Sequence, residues 1–219
     1  MDIVIFGGGN FSSQAWYVLT HDSPHRVAGF TVDGDYRTGE RFHDLPMVPF
    51  EELERHFPPD RFVMLVSLGG RNINGLRASR YQAAKARGYS FVSYVASRAM
   101  VWPDLQIGEN CMIFNGASVN PFAVIGNNCI LLAGSHVSHH AVLEDHCFLA
   151  AHAVVAGGAK IGERCFLGLN STIRDGVSVA PGCFIAAGAV VTTDTTENGV
   201  YMGMPAQRRD MPADQLEAF

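Results

Sequence analysis

The hydrophobic pattern divides the chain in two. From Ile107 to Val191 every sixth residue is Ile, Leu or Val, fifteen positions without a gap. The residue four places after each of these is small in most hexads, as at Cys111, Ala117, Ala123, Cys129, Ser135 and Ala141. A six-residue period fits neither a helix nor an alternating strand. It predicts a β-solenoid in which each hexad supplies one short strand and one corner. The aliphatic residue points inward, and the small residue lets the chain turn. Three hexads make an 18-residue coil, and coils stack about 4.8 Å apart through parallel β pairing. The fifteen hexads therefore predict five coils. Val95, Ala99 and Val101 carry the register backward as an irregular leading coil, in which Leu105 breaks the small-residue rule. The register ends near Thr196.

The cysteines give the same coil length. Cys111, Cys129, Cys147, Cys165 and Cys183 are each 18 apart, which puts one thiol per coil in a single column. An odd count disfavours a disulfide framework. The column reads as reduced, buried, small apolar side chains.

The first 94 residues follow another pattern. Apolar runs at Asp2–Phe6, Val27–Val32, Phe62–Leu68 and Phe91–Val95 predict four strands. Ser12–Thr20 and Ile73–Arg87 predict helices, the second stopped by Gly88. Strands alternating with helices imply a small parallel α/β sheet. The expected division is residues 1–94, 95–205 and a polar tail over 206–219.

Composition narrows the class. Apolar types are 47% of the 219 residues and charged types 17%, enough for a real core. A net charge of -5 argues against a nucleic-acid partner and against a polybasic membrane patch. The start MDIVIFGGG does not read as a signal peptide, and no apolar run is long enough for a bilayer span. A cytoplasmic location is expected.

Parallel sheets bind ligands beyond the carboxyl ends of their strands. Those ends carry Gly7 to Ser12, then Asp33 and Gly34, then Gly69. A glycine loop before a helix lets a phosphate approach backbone N–H groups. An Asp ending the second strand can accept from a sugar hydroxyl. The loop lacks the third glycine of a dinucleotide fingerprint, which disfavours an NAD enzyme and leaves open a tight turn without a ligand. Five of the nine histidines lie between His136 and His152. His140, His146 and His152 share one hexad phase and should sit about 120° apart around a three-hexad coil, so a metal site within one chain is not expected. His139 should face outward at a corner, as a general base or as a solvated surface histidine.

The hexapeptide run, followed by Gly203-Met204-Pro205-Ala206 and preceded by an α/β segment starting IFGGGN, resembles the left-handed β-helix sugar acyltransferases. Among these it is similar to the UDP-amino-sugar and GDP-perosamine N-acetyltransferases and the sialic-acid O-acetyltransferases. The resemblance implies a Rossmann-like α/β domain and a left-handed parallel β-helix. It further implies a homotrimer with sites between neighbouring chains, acetyl-CoA as donor, no metal, and a nucleotide-linked amino sugar as acceptor. Carried over by position, the sugar nucleotide falls on Gly9, Asn10, Phe11, Asp33, Gly34 and Gly69. The base falls on His139, and acetyl-CoA on Phe148, Leu169 and Ala187. Two positions depart from the family. His140 stands where an acidic residue often follows the base, so Glu144, Asp145 or a neighbouring chain is expected to orient His139. Phe148 stands where the bacillosamine enzyme has a histidine. Leu169 and Ala187, 18 apart, should stack. Three coil steps, about 14 Å, would then let an extended pantetheine reach His139 along the prism.

Overall fold

The computed structural model describes residues 2–203. Residues 204–219, which include Met204-Pro205-Ala206 and the expected tail, lie outside the described residues.

The α/β part begins with β1 (Asp2–Phe6), α1 (Asn10–His21) and β2 (Val27–Val32). It continues through β3 (Arg41–Phe42), β4 (Leu45–Pro49), α2 (Leu53–His56), β5 (Phe62–Val66) and α3 (Gly75–Ala86). The sheet order is β3-β4-β2-β1-β5, parallel except for the β3–β4 hairpin. Two expectations are corrected here. The strand beside β2 is β4, which the sequence pattern did not suggest because Pro46 and Pro49 interrupt it. The run Phe91–Val95 is not a fourth strand of this sheet. Phe91 makes a single bridge to Met64, and Tyr94–Val95 already pairs with Met112–Ile113 as the first rung of the solenoid.

The solenoid is a left-handed β-helix of eighteen two-residue strands on three parallel faces. Seven strands form face one, six form face two and five form face three. The register holds every six residues from Tyr94–Val95 to Val190–Val191, and Val200–Tyr201 closes face one. The leading coil is thus a full turn, and it stacks on the five that the hexads predict. The aliphatic and small positions form one buried column of core.

The corners turn one residue earlier than expected. Fourteen corner residues from Asn110 to Gly188 have positive φ, each immediately before the small inward residue. Asn, Gly and His hold most of these places, residue types that tolerate the left-handed region. The small residue is needed for a different reason, because its side chain fills the narrow interior.

The cysteines line the interior column as free thiols. The Sγ of Cys147 donates to Gly162 O at 3.2 Å and that of Cys165 to Ala180 O at 3.1 Å. Burial pushes the Cys165 thiol up to about 12. These are structural thiols and not nucleophiles.

Face one carries a second ladder that the six-residue pattern hides. Its outward positions are Tyr94, Met112, Ile130, Phe148, Phe166 and Phe184. Phe148, Phe166 and Phe184 stack at centroid separations of 5.0 and 5.2 Å. The first four share a core cluster with Ile3, Ile5, Ala15 and Leu19 of the α/β part, so the two units share one apolar seam.

Polar contacts fix how they dock. Asn110 exchanges bonds with Val66 at the end of β5, its Oδ1 accepting from Val66 N at 2.7 Å. Asn110 Nδ2 donates to Asn128 Oδ1 at 2.7 Å, and Asn128 Nδ2 lies 2.8 Å from His146 Nδ1. Arg77 of α3 is fully buried and donates to the carbonyls of Asn128, His146 and Cys147 at 2.8–3.2 Å.

Candidate active site

A cavity of about 350 Å³ opens at the carboxyl ends of β1, β2 and β5. Phe6, Val32, Leu68 and Leu76 supply apolar walls, and the Gly7–Gly9 loop forms the floor. Gly7 must be glycine. Its φ is +133°, and a Cβ there would lie 2.0 Å from Ser12 Oγ and 2.9 Å from Ser67 O. Gly9 and Gly69 have nothing within 4 Å of a built Cβ, so both border open space at the cavity. Helix α1 starts at the cavity with no acidic residue in its first turn and no side-chain cap. Its first N–H groups therefore carry no side-chain partner from a cap and keep the positive end of the helix dipole beside the cavity.

The cavity brings together Gly9, Asp33 and Gly69 of the expected residues. Asn10 is exposed at the helix start, outside the lining. Phe11 packs across the domain seam, 6.0 Å from the ring of Phe114 and 6.4 Å from that of Phe148. Gly34 donates its N–H to Glu51 Oε2 at 3.1 Å, just beyond the cavity. The carboxylate of Asp33 is held by Arg80 Nε at 2.9 Å. Tyr36 and Arg71 also line the cavity, and the sequence reading did not single them out.

On the β-helix, His139 is exposed at the edge where face two turns into face three. Its Nδ1 lies 3.1 Å from His140 Nδ1, and the two rings meet edge to face. His140 rests on Phe122, one coil below, at 4.8 Å. Gly157, one coil above, lies under the imidazole of His139, where a Cβ would come within 2.8 Å of the ring. Gly157→Ala should therefore leave the fold intact and displace the imidazole. We expect a loss of about tenfold or more in kcat for any reaction that uses His139, with an unchanged circular dichroism melt.

The expected orienting carboxylates are elsewhere. Glu144 and Asp145 lie at the next edge, where Asp145 Oδ1 accepts from Asn127 N at 2.7 Å and Glu144 Oε2 from Glu163 N at 3.0 Å. Within the chain the partner of His139 is His140 itself. The other histidines do not converge. His146 is buried at the domain seam, where desolvation lowers its pKa. His136 contacts Ser118 Oγ on face two, and His152 stands at a third edge. Among the described residues no group of three or more His, Cys, Asp and Glu is placed to hold a metal ion.

Leu169 and Ala187 do stack, with Gly188 N donating to Leu169 O at 2.8 Å, and both are exposed. They follow face-one strands and so occupy the edge between faces one and two. His139 stands on the neighbouring edge. An arm lying along the Leu169–Ala187 edge of one chain therefore cannot reach the His139 of that chain without crossing face two. Phe148 is buried at the seam and does not join Leu169 and Ala187.

Comparison with known proteins agrees with this architecture. The six-repeat model of the bacterial transferase hexapeptide matches residues 104–139 and 122–157, and the hexapeptide repeat of succinyl-transferase matches 158–193. No curated protein sequence matches the chain. Perosamine N-acetyltransferase from Caulobacter crescentus, a His-to-Asn variant in complex with CoA and GDP-perosamine, superposes with a TM-score of 0.85 at 26% identity. The match covers 94% of this chain and 96% of that one. The acetyltransferase domain of PglB from Neisseria gonorrhoeae gives a TM-score of 0.82 at 21% identity, covering 94% and 98%. WeeI from Acinetobacter baumannii gives 0.74 at 17%, covering 94% and 99%.

Fold and repeat together define a left-handed β-helix protein whose coils carry the bacterial transferase hexapeptide. The chain is similar to hexapeptide-repeat acetyltransferases over nearly its whole length. Among the described residues, no helix is long and apolar enough to cross a membrane.

Proposed function

We propose that the chain transfers the acetyl group of acetyl-CoA to the amine of a nucleotide-linked amino sugar. The setting is the cytoplasmic stage of bacterial surface-glycan assembly. The observation that carries this reading is the combination of two sites in one chain. One is a cavity at the strand ends of the α/β sheet, and the other is an exposed imidazole on a hexapeptide prism. That combination spans a chain similar over 94% of its length to an enzyme whose structures hold CoA and GDP-perosamine.

The chemistry needs one proton acceptor. The sugar amine attacks the thioester carbonyl, and a backbone N–H stabilises the oxyanion. His139 takes the amine proton, and collapse expels the thiolate of CoA. If Nδ1–H of His139 donates to His140 Nδ1, the lone pair on Nε2 is free to act as base. His140 thus occupies the place of the family's carboxylate with a neutral acceptor. No cysteine takes part, since all five are buried in the core.

The edges of the prism bear on assembly. Because His139 and the Leu169–Ala187 pair occupy adjacent edges, a complete centre needs His139 of one copy beside Leu169 and Ala187 of another. A homotrimer supplies three such centres.

The test is thiol release from acetyl-CoA with a panel of UDP-, GDP- and dTDP-linked amino sugars. Turnover confined to amino sugars on one nucleotide is the expected result. Turnover only with free sugar hydroxyls would move the reading to O-acetylation, and none with any acceptor would favour a non-catalytic trimeric scaffold.

A further inference from the structure

The cavity at the strand ends has two charged side chains in its lining, and they are not equivalent. Asp33 is already neutralised by Arg80 at 2.9 Å. Arg71 has no hydrogen-bond or ion-pair partner among the described residues and is exposed at the cavity. Arg37, nearby in sequence to Asp33, spends its Nε on Met47 O at 3.0 Å. An anion entering this cavity would therefore meet one uncommitted lining cation, Arg71, and the uncapped start of α1 at Gly9.

The segment bearing Arg71 is held in an unusual shape. Asn72, Ile73 and Asn74 have φ of 54°, 45° and 61°, three successive left-handed residues. For a β-branched residue such as Ile73 this is an outlier, and such conformations persist where the surroundings over-determine them. Those surroundings lie on both sides of Arg71. Gly70 is pressed on the ring of Phe166, where a Cβ would lie 2.5 Å away. Asn74, fully buried, donates to Arg164 O and Cys165 O at 3.1 and 3.0 Å. The β-helix thus clamps both ends of a short strained turn and leaves its arginine at the cavity.

Resting on the nucleotide-sugar reading above, we infer that Arg71 binds the diphosphate of the nucleotide sugar, between its guanidinium and the N–H groups that open α1. A planar guanidinium presents paired donors matched to phosphate oxygens. The open glycines at Gly9 and Gly69 let the diphosphate approach the backbone on either side. The β-helix clamp makes the position of this arginine a property of both domains.

The test is isothermal calorimetry on wild type, Arg71→Gln and Arg71→Lys. The probes are UDP, GDP and dTDP, the matching nucleosides, and CoA. Arg71 is exposed, so the variants should melt as wild type does. For the nucleotide that wild type prefers, the diphosphate should bind Arg71→Gln about 10- to 100-fold more weakly. Arg71→Lys should recover part of the loss. Nucleoside and CoA binding should be unchanged. A diphosphate affinity equal in wild type and Arg71→Gln overturns the inference alone. A loss confined to CoA would assign Arg71 to the donor's own phosphates instead, which also overturns it. Wild type that binds no nucleotide would remove the nucleotide-sugar reading and this inference together.

Discussion

His139→Asn should abolish acetyl transfer while leaving the protein folded. The imidazole is exposed at a prism edge, and its loss removes no core contact. Asn keeps much of the bulk and can still pair with His140, but it cannot take a proton from an amine. Removal of a positioned general base typically costs about 10²–10⁴ in rate. We expect a fall of that size in kcat, with little change in KM for either substrate. Initial rates of thiol release at saturating acetyl-CoA check this. A variant with more than half of the wild-type kcat would assign the proton transfer elsewhere.

Arg77→Met should be the most destabilising single change at the domain seam. Arg77 is fully buried and without a carboxylate partner, and burial pushes its guanidinium down to about 10. Its donors go to backbone carbonyls of two coils and to Asn74 Oδ1 at 3.0 Å. It also lies over the ring of Phe148 at 5.8 Å. Methionine keeps part of the apolar stem but takes the donors away from the carbonyls of Asn128 and His146, while Cys147 O keeps Ile130 N. Breaking a network of this kind costs about 3–5 kcal/mol. The expected signature in urea is a lower midpoint for loss of the α/β unit, with the β-helix melting later. Because Leu68 O also accepts from Arg77, at 3.4 Å, nucleotide binding should weaken even where the variant is folded. A midpoint within experimental error of wild type would show that the apolar seam alone holds the domains.

Much of this organisation is legible in the chain itself, for a physical reason. A β-helix interior admits one aliphatic and one small residue per hexad, so the packing constraint recurs in the sequence at the same interval. The column of five cysteines then sets the coil at 18 residues. What the hexad reading misses are features with an 18-residue period, since only one face in three meets the α/β unit. The ladder from Tyr94 to Phe184 and the Asn110–Asn128–His146 column are of this kind. Strand β4 is missed because two prolines in five residues read as loop, yet strand β3 covers its far side only briefly.

The site divides along similar lines. Gly9, Asp33 and Gly69 stand at strand ends, where chain topology alone places ligands, and all three line the cavity. Phe11 is the second residue of α1, and its side chain turns away to the seam. Arg71 is an isolated arginine in a loop, with no periodicity to mark it. Its significance comes from Asn74 and Gly70, whose partners on the β-helix lie some 90 residues away. The separation of His139 from Leu169 could have been found by counting hexads, because 139 and 169 differ by five hexads and not by a multiple of three.

That separation supplies the most direct test of the account. His139→Asn removes the proposed base from one edge, and Ala187→Arg obstructs the proposed donor position on the adjacent edge. Each variant alone should be inactive. The two should be unfolded together, refolded as mixed oligomers and assayed for thiol release with the nucleotide-linked amino sugar that wild type prefers. A centre built from two copies predicts recovered turnover in the mixture, because some interfaces then pair an intact His139 with an intact Ala187. Mixed oligomers of the same size that stay inactive would contradict it, and so would a wild-type monomer with full activity.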